Sequence, residues 1–168
     1  NSAFHSCLNL ESIELPDSVT SIGSSAFTLC SKLGSIDLSN TQITSIGDRT
    51  FFNCSSLTSI GDIPDTLTNI GQYAFYNCTA LETVNFLVND KGDSCKIIRE
   101  FAFSKDKALK NINLENINMI GNNAFEDCES LDNINLDSTY ALGRRAFANC
   151  KSLSFVDITA LRNAGEAT

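Results

Sequence analysis

Tryptophan is absent from this chain, and Met, His and Pro are scarce: one Met, one His and two Pro in 168 residues. The single His, His5, stands in an incomplete first repeat. Nucleophilic triads therefore lack their usual base, and His5 reads as a solvent-facing turn residue. Positive charge is thin as well: 12 Lys and Arg face 20 Asp and Glu, for a formal net charge of −8. Nucleic-acid binding needs a basic stripe to displace counterions, so that class is excluded. No apolar run approaches the length of a membrane span. Gly-rich phosphate loops and Cys-x-x-Cys pairs are both missing, which removes the nucleotide and zinc signatures and leaves no cofactor to expect. In contrast, Ser and Asn exceed a fifth of the chain, and there are eleven Phe and seven Cys. Seven is odd, so the cysteines cannot be a closed set of intrachain disulfides.

The abundant residues recur in register. Phe4, Phe27, Phe51, Phe75, Phe103, Phe125 and Phe147 lie 23, 24, 24, 28, 22 and 22 residues apart. Each follows a small residue: Ala3, Ala26, Thr50, Ala74, Ala102, Ala124 or Ala146. Three residues on come Cys7, Cys30, Cys54, Cys78, then Asp106 as the exception, then Cys128 and Cys150. Next is an unbroken Leu column of Leu10, Leu33, Leu57, Leu81, Leu109, Leu131 and Leu153, followed by Ile13, Ile36, Ile60, Val84, Ile112, Ile134 and Val156. Two beyond that stand Leu15, Leu38, Phe86, Leu114, Leu136 and Ile158, with Ile63 stepping in where Asp62 holds the place in the third unit. From the second unit on, an Ile or Leu stands five residues before the Phe, usually with Gly after it. Residues 1–168 thus form a single array of about seven units of 22 to 28 residues, the last fading after Ile158.

Leu-x-x-Ile-x-Leu has the alternation of a short strand buried on one face. The Ile-Gly step predicts a second extended piece and a turn, with Gly supplying freedom of φ. Ala-Phe-x-x-Cys is too short for a real helix and predicts one helical or 3₁₀ turn. One unit cannot cover its own apolar side. Stacking at about 4.8 Å per rung makes continuous Phe, Cys, Leu and Ile ladders, in a rod about 35 Å long.

Leu15 to Cys30 (LPDSVTSIGSSAFTLC) and Ile63 to Cys78 (IPDTLTNIGQYAFYNC) resemble the BspA-like class of leucine-rich repeats, and the likeness runs from residue 1 to about 160. The resemblance implies a repeat solenoid: a right-handed leucine-rich-repeat arc, with short strands on the concave face and turns and short 3₁₀ or extended segments on the convex face. It also implies membership among extracellular or cell-surface proteins of bacteria and protozoan parasites that act in adhesion and binding. It carries over no catalytic residue.

Six cysteines share one column, and Cys95 falls in an apolar column, so all seven read as small buried hydrophobes. Adjacent-rung disulfides are the alternative, since Cα atoms about 5 Å apart are within range although their Cβ vectors run parallel. Two departures stand out. The fourth unit carries an insertion around Leu87 to Ser94, whose Asn89 to Asp93 stretch lacks the alternating ligands and terminal Glu of a calcium loop. The fifth places Asp106 in the Cys column between Lys105 and Lys107, which predicts a turn more open to water, because a buried unpaired carboxylate is costly.

The outward strand positions are the candidate partner-binding strip. One column is Ser12, Ser35, Ser59, Thr83, Asn111, Asn133 and Phe155; the other is Glu14, Asp37, Gly61, Asn85, Asn113, Asn135 and Asp157. Extended repeat surfaces bind partners in this way, although polar-out alternation alone would also produce the columns. Phe155 is either a contact residue or a side chain covered by a further repeat. Asn53-Cys54-Ser55 and Asn77-Cys78-Thr79 fit the glycosylation acceptor pattern, although Asn also suits a turn. The expected function is a non-catalytic binding or adhesion module that presents this surface to a protein or glycan on a host or neighbouring cell. A structural spacer or scaffold that self-associates or displays another domain is the alternative. Neither end reads as a dedicated cap, which suggests a piece of a larger protein and end-to-end self-association.

Overall fold

The computed structural model describes residues 1–87, 96–156 and 158, and the strand backbone at 163–164. Cys95, Asp157 and the insertion from residue 88 to 94 lie outside the described residues.

The Leu-x-x-Ile-x-Leu segments supply the front strands: β1 (Ser12–Ile13), β2 (Ser35–Ile36), β4 (Asp62–Ile63), β6 (Thr83–Phe86) and β8 (Asn111–Ile112). All pair in parallel, β1 with β2, β4 with β6 and β6 with β8, and single bridges Ser35↔Ser59 and Asn111↔Asn133 continue the rows. The Ile-Gly segments and their equivalents supply β3 (Ser45–Ile46), β5 (Asn69–Ile70), β7 (Lys96–Ile98), β9 (Ile117–Ile120) and β10 (Ala141–Leu142), which with β11 (Asn163–Ala164) form one parallel sheet in that order. The continuous sheet is therefore the one the sequence pattern presents as secondary.

Gly61 explains the broken front row. It has φ +67°, and it inserts one residue so that Asp62 pairs with Asn85 and Ile63 with Phe86. The substitute core residue Ile63 is fully buried, as its spacing predicts. The outward place assigned to Gly61 belongs to Asp62, because the bulge shifts the alternation by one.

No helix of either kind occurs among the described residues, so the Ala-Phe-x-x-Cys segment is not the helical or 3₁₀ turn that its length suggests. The residues two before and two after each Phe are left-handed, from Ser25 (φ 58°) and Leu29 (φ 63°) around Phe27 to Arg145 (φ 56°) and Asn149 (φ 60°) around Phe147. A helix cannot propagate through such positions. Alternate amides instead serve two purposes. Ser25, Phe27 and Leu29 N–H donate to Asp48, Thr50 and Phe52 carbonyls on the next rung, each at 2.8 Å, while Ala26, Thr28 and Cys30 close turns within their own rung. The turns are thus a third hydrogen-bonded seam.

The Ile-Gly glycines are needed for space rather than for φ, since none of them is left-handed. A Cβ on Gly143 would lie 2.3 Å from the Gly121 carbonyl carbon, and one on Gly47 would lie 2.5 Å from Ser24 N. Backbones of successive rungs touch at these points.

Inside, Phe4 through Phe147 stack in one column, with neighbouring centroids 4.9 to 5.4 Å apart. Fully burying a ring, as at Phe51, Phe75, Phe103 and Phe125, contributes roughly 1.5–3 kcal/mol. Every cysteine among the described residues is a free thiol. Cys30, Cys54, Cys78, Cys128 and Cys150 each donate Sγ–H to the carbonyl of the preceding rung's Phe, at 3.1 to 3.2 Å. Burial pushes the Cys54 thiol up to about 12 and the Cys150 thiol up to about 11, so neither ionises near neutrality.

Asp106 departs from expectation: its turn is closed, and the residue is fully buried. Oδ1 accepts the Cys78 N–H at 2.7 Å, whereas Oδ2 finds no hydrogen-bond partner among the described residues. The flanking lysines turn outward, Lys107 to Glu129 at 3.2 Å and Lys105 over the Tyr76 ring at 5.2 Å. Stacking forces the column inward whatever residue it holds. Desolvation therefore raises the Asp106 pKa well above the ordinary carboxylate range.

Three outcomes are expected from this packing. Between about pH 4, where an unfolded Asp titrates, and the raised folded value, the native state holds a proton that the unfolded chain has lost. Stability from this group is therefore full below about pH 4 and declines as pH rises. Urea unfolding of wild type and Asp106→Asn across pH 4 to 9 should show the variant gaining on wild type toward high pH; a constant difference would refute a buried neutral acid. Leu29→Asn should add about 1 kcal/mol by relieving a left-handed Leu, read as a melting temperature about 2–4 °C higher. An unchanged or lower value would mean that Leu29 is not strained. Under reducing conditions a thiol reagent should leave Cys54, Cys78 and Cys128 unmodified in the native chain and label them all in denaturant. The denatured count is taken without reductant, and a deficit of thiols there that reductant restores would point to disulfides.

Candidate functional site

Alternation along the front strands turns Ile13, Ile36, Val84 and Ile112 inward and their neighbours out. Ser12, Ser35, Ser59, Thr83, Asn111 and Asn133 are all exposed, and parallel pairing sets Ser12 against Ser35, Ser35 against Ser59, Thr83 against Asn111 and Asn111 against Asn133. The sequence-predicted strip is one surface within each of these runs, and the Gly61 bulge separates them.

The second column behaves differently. Glu14, Asp37, Asn85 and Asn135 are exposed, but Asn113 is half-buried. Asp37 Oδ1 accepts Ser39 N–H at 2.9 Å, Asn113 Oδ1 accepts Glu115 N–H at 3.0 Å, and Asn135 Oδ1 accepts Asp137 N–H at 2.8 Å. These are side-chain turns that end the strand, the reason Asx residues suit such places. The Ser39 hydroxyl and N–H hold the Asp37 carboxyl below its usual range. Ser39 Oγ also accepts Asp62 N–H at 2.9 Å, and Asn85 Nδ2 donates to Asp62 Oδ1 at 3.0 Å. Asp62 is the surface residue that sequence reading missed; the +1 offset of Ile63 was the signal that could have found it.

The first column spends less of its capacity. Ser59 Oγ accepts a long bond from Gly61 N–H at 3.4 Å, and Asn133 Nδ2 donates to Asp132 at 3.0 Å. Asn111 lies between two shallow depressions. One, of about 390 Å³, is lined by Asn111, Asn113, Glu115, Asn133 and Asn135 over Ile112, Leu114 and Ile134. The other, of about 350 Å³, is lined by Glu82, Thr83, Lys110, Asn111 and Ser130. Lys110 is directed to Asp132 at 3.9 Å.

The two acceptor asparagines lie on the turn seam. Both are half-buried and left-handed, and Asn77 Nδ2 donates to Asn53 Oδ1 at 2.9 Å. Their middle residues Cys54 and Cys78 are core. His5 is exposed, with Nδ1 at 2.9 Å from the Ser6 hydroxyl. Among the described residues no group of His, Cys, Asp and Glu is arranged to hold a metal ion, and no helix is long and apolar enough to cross a membrane. Large apolar side chains are exposed on the first rung at Phe4 and Leu8, and on the last at Phe155 and Ile158.

The family model for the BspA type leucine rich repeat region matches in six copies, over residues 1–92 and 89–166. Among solved structures, the chain is similar to a leucine-rich repeat protein of Treponema pallidum, with 23% identity and a TM-score of 0.68 over 86% of this chain and 78% of that one. It is also similar to a leucine rich cell surface protein of Faecalibacterium prausnitzii, at 24% identity and a TM-score of 0.67, covering 86% of this chain and 46% of that one. A leucine-rich repeat protein of Eubacterium ventriosum aligns at 20% identity with a TM-score of 0.56, over 90% of this chain and 56% of that one. These likenesses concern the fold, and no curated protein sequence matches the chain. With its Phe, Cys, Leu and Ile columns stacked rung on rung and the family model matching nearly end to end, the chain belongs to the BspA-type leucine-rich repeat family.

Proposed function

We propose that this array is a non-catalytic adhesion module that presents its front strand face to a protein or glycan partner at a cell surface. The observation that carries this reading is the first outward column. The fold closes its turns with Asp37, Asn113 and Asn135, while the side chains of Ser12, Ser35, Thr83 and Asn111 make no hydrogen bond among the described residues. Exposed donors and acceptors held at rung spacing by a rigid stack are pre-organised, which lowers the ordering cost of binding. The similar protein of Faecalibacterium prausnitzii is described as a cell surface protein, which supports an extracellular place for this one.

The test is adhesion of beads coated with the array to cultured epithelial cells and to bacterial cells. Ser35→Arg, Thr83→Arg and Asn111→Arg should each reduce adhesion about tenfold or more, while Gln42→Arg, an exposed site outside both front columns, should not. Circular dichroism melts would confirm that the variants fold. Adhesion indifferent to all three would favour the structural spacer.

A further inference from the structure

The first outward column changes character along the array. It runs Ser12, Ser35 and Ser59, then Thr83, Asn111 and Asn133, and reaches Phe155 after two steps of 22 residues from Asn111. Phe155 is 75% exposed, while the next residue, Val156, packs against the core. Its alternation is thus that of an outward position. Stacking a further rung on Phe155 would cover a flank of the ring and leave it on the front face. Rung seven is held to rung six close by: Ser152 N–H and Oγ both donate to the Glu129 carbonyl, and Lys151 pairs with Glu129 at 2.7 Å.

From Thr83 to Phe155 the face therefore offers a hydroxyl, two amides and an aromatic ring over a partly apolar floor of Ile112 and Ile134. We infer that this end of the front face is a saccharide subsite for an uncharged oligosaccharide, an inference that rests on the reading of the front face as the binding surface. An Asn amide presents one acceptor and two donors, the set that neighbouring sugar hydroxyls require. Both amides lie against a shallow open groove, which a flat pyranose chain can enter without a deep pocket. An extended sugar chain advances per unit by a length close to one rung, so amides on successive rungs can meet successive sugars. The Phe155 ring supplies the remaining element, a negative π face for the polarised C–H bonds on the underside of a pyranose.

Charge decides between sugar classes. Lys110, which lines the neighbouring depression, is directed to Asp132, and the exposed carboxylates Glu82, Glu115 and Asp137 lie along the same stretch. Sialylated or sulfated chains would meet like charge, with Lys110 directed to a carboxylate. A protein partner is less well matched, because the fixed centre of a protein interface is built on Trp, Tyr and Arg anchors, and this stretch of the face carries none.

The test is a glycan array of neutral hexose and N-acetylhexosamine oligosaccharides two to six units long, beside sialylated and sulfated counterparts, followed by NMR titration of the retained sugars. Neutral chains should be retained and should tighten with length until they span the rungs of Asn111, Asn133 and Phe155. Asn111→Ala and Phe155→Ala should each weaken binding about tenfold. Phe155→Trp, a larger ring in the same place, should restore it. Retention of anionic sugars in preference to neutral ones would overturn the inference, as would neutral binding indifferent to both alanine variants. If no sugar is retained while arginines on the front face still abolish adhesion, the subsite falls and the binding face stands. If those arginines are also without effect, both fall.

Discussion

Rungs can stack in register only if the backbone of each one is hydrogen-bonded to the next on every side of the coil. In this array the two strand seams are short, often two residues a rung, and the turns carry the rest. The pattern of Ser25, Phe27 and Leu29 recurs at Arg49, Phe51 and Asn53, which donate to Gln72, Ala74 and Tyr76, and again at Tyr73, Phe75 and Asn77. These bonds fix both spacing and register, so each side chain is placed on its own counterpart. The Phe column, the row of thiols against Phe carbonyls and the glycines where backbones touch are consequences of that placement. Because each rung contacts only its neighbours, the array gains stability interface by interface, and a local fault is felt mainly at the two interfaces it shares.

That constraint explains what the sequence made legible. Columns that repeat at fixed spacing report core positions directly, so the Phe, Cys, Leu and Ile ladders, the family and the outward strip could all be read before any coordinates. The misreadings share one cause: periodicity records which residues are equivalent, whereas their environment depends on the rung next door. Asp106 looked solvent-exposed from its chemistry and its lysine neighbours, but stacking buries its column whatever it holds. The Ile-Gly glycines looked like sites of backbone freedom, but their hydrogens face the backbone of the adjacent rung. The Ala-Phe-x-x-Cys segment looked like a helical turn because nothing in Leu29, Arg49, Tyr73 or Phe101 announces a left-handed residue.

The two halves of the array bind their outer surfaces together differently. Rungs three to five place Phe52 on Tyr76 at 5.1 Å and Tyr73 on Phe101 at 4.8 Å, with Arg49 over Tyr73, as ladders of rings and an amide pair on the turn face. Rungs five to seven use charge: Glu129 is held between Lys107 and Lys151, and Glu126 pairs with Arg145. Exposed ion pairs of this kind contribute little each. The Lys107, Glu129 and Lys151 column alternates in sign from rung to rung, however, and a pairing shifted by one rung would set like charge against like. The half with fewer aromatic turn contacts thus carries an electrostatic check on its register.

The front face follows the same logic of what stacking consumes and what it leaves. An Asx residue that closes a turn is held by the backbone and cannot be exchanged freely, so Asp37, Asn113 and Asn135 are determined by the fold. The neighbouring column meets no such demand, since a strand position that points outward needs only to tolerate water. It nevertheless passes from serines through Thr83 to Asn111 and Asn133, and ends on an exposed Phe155. Backbone geometry does not require an amide or an aromatic ring there, and exposing the ring to water confers no stability on the stack. Side chains that folding leaves undetermined are the ones a partner is free to specify, so the column least constrained by the solenoid is the one in which binding specificity is best sought.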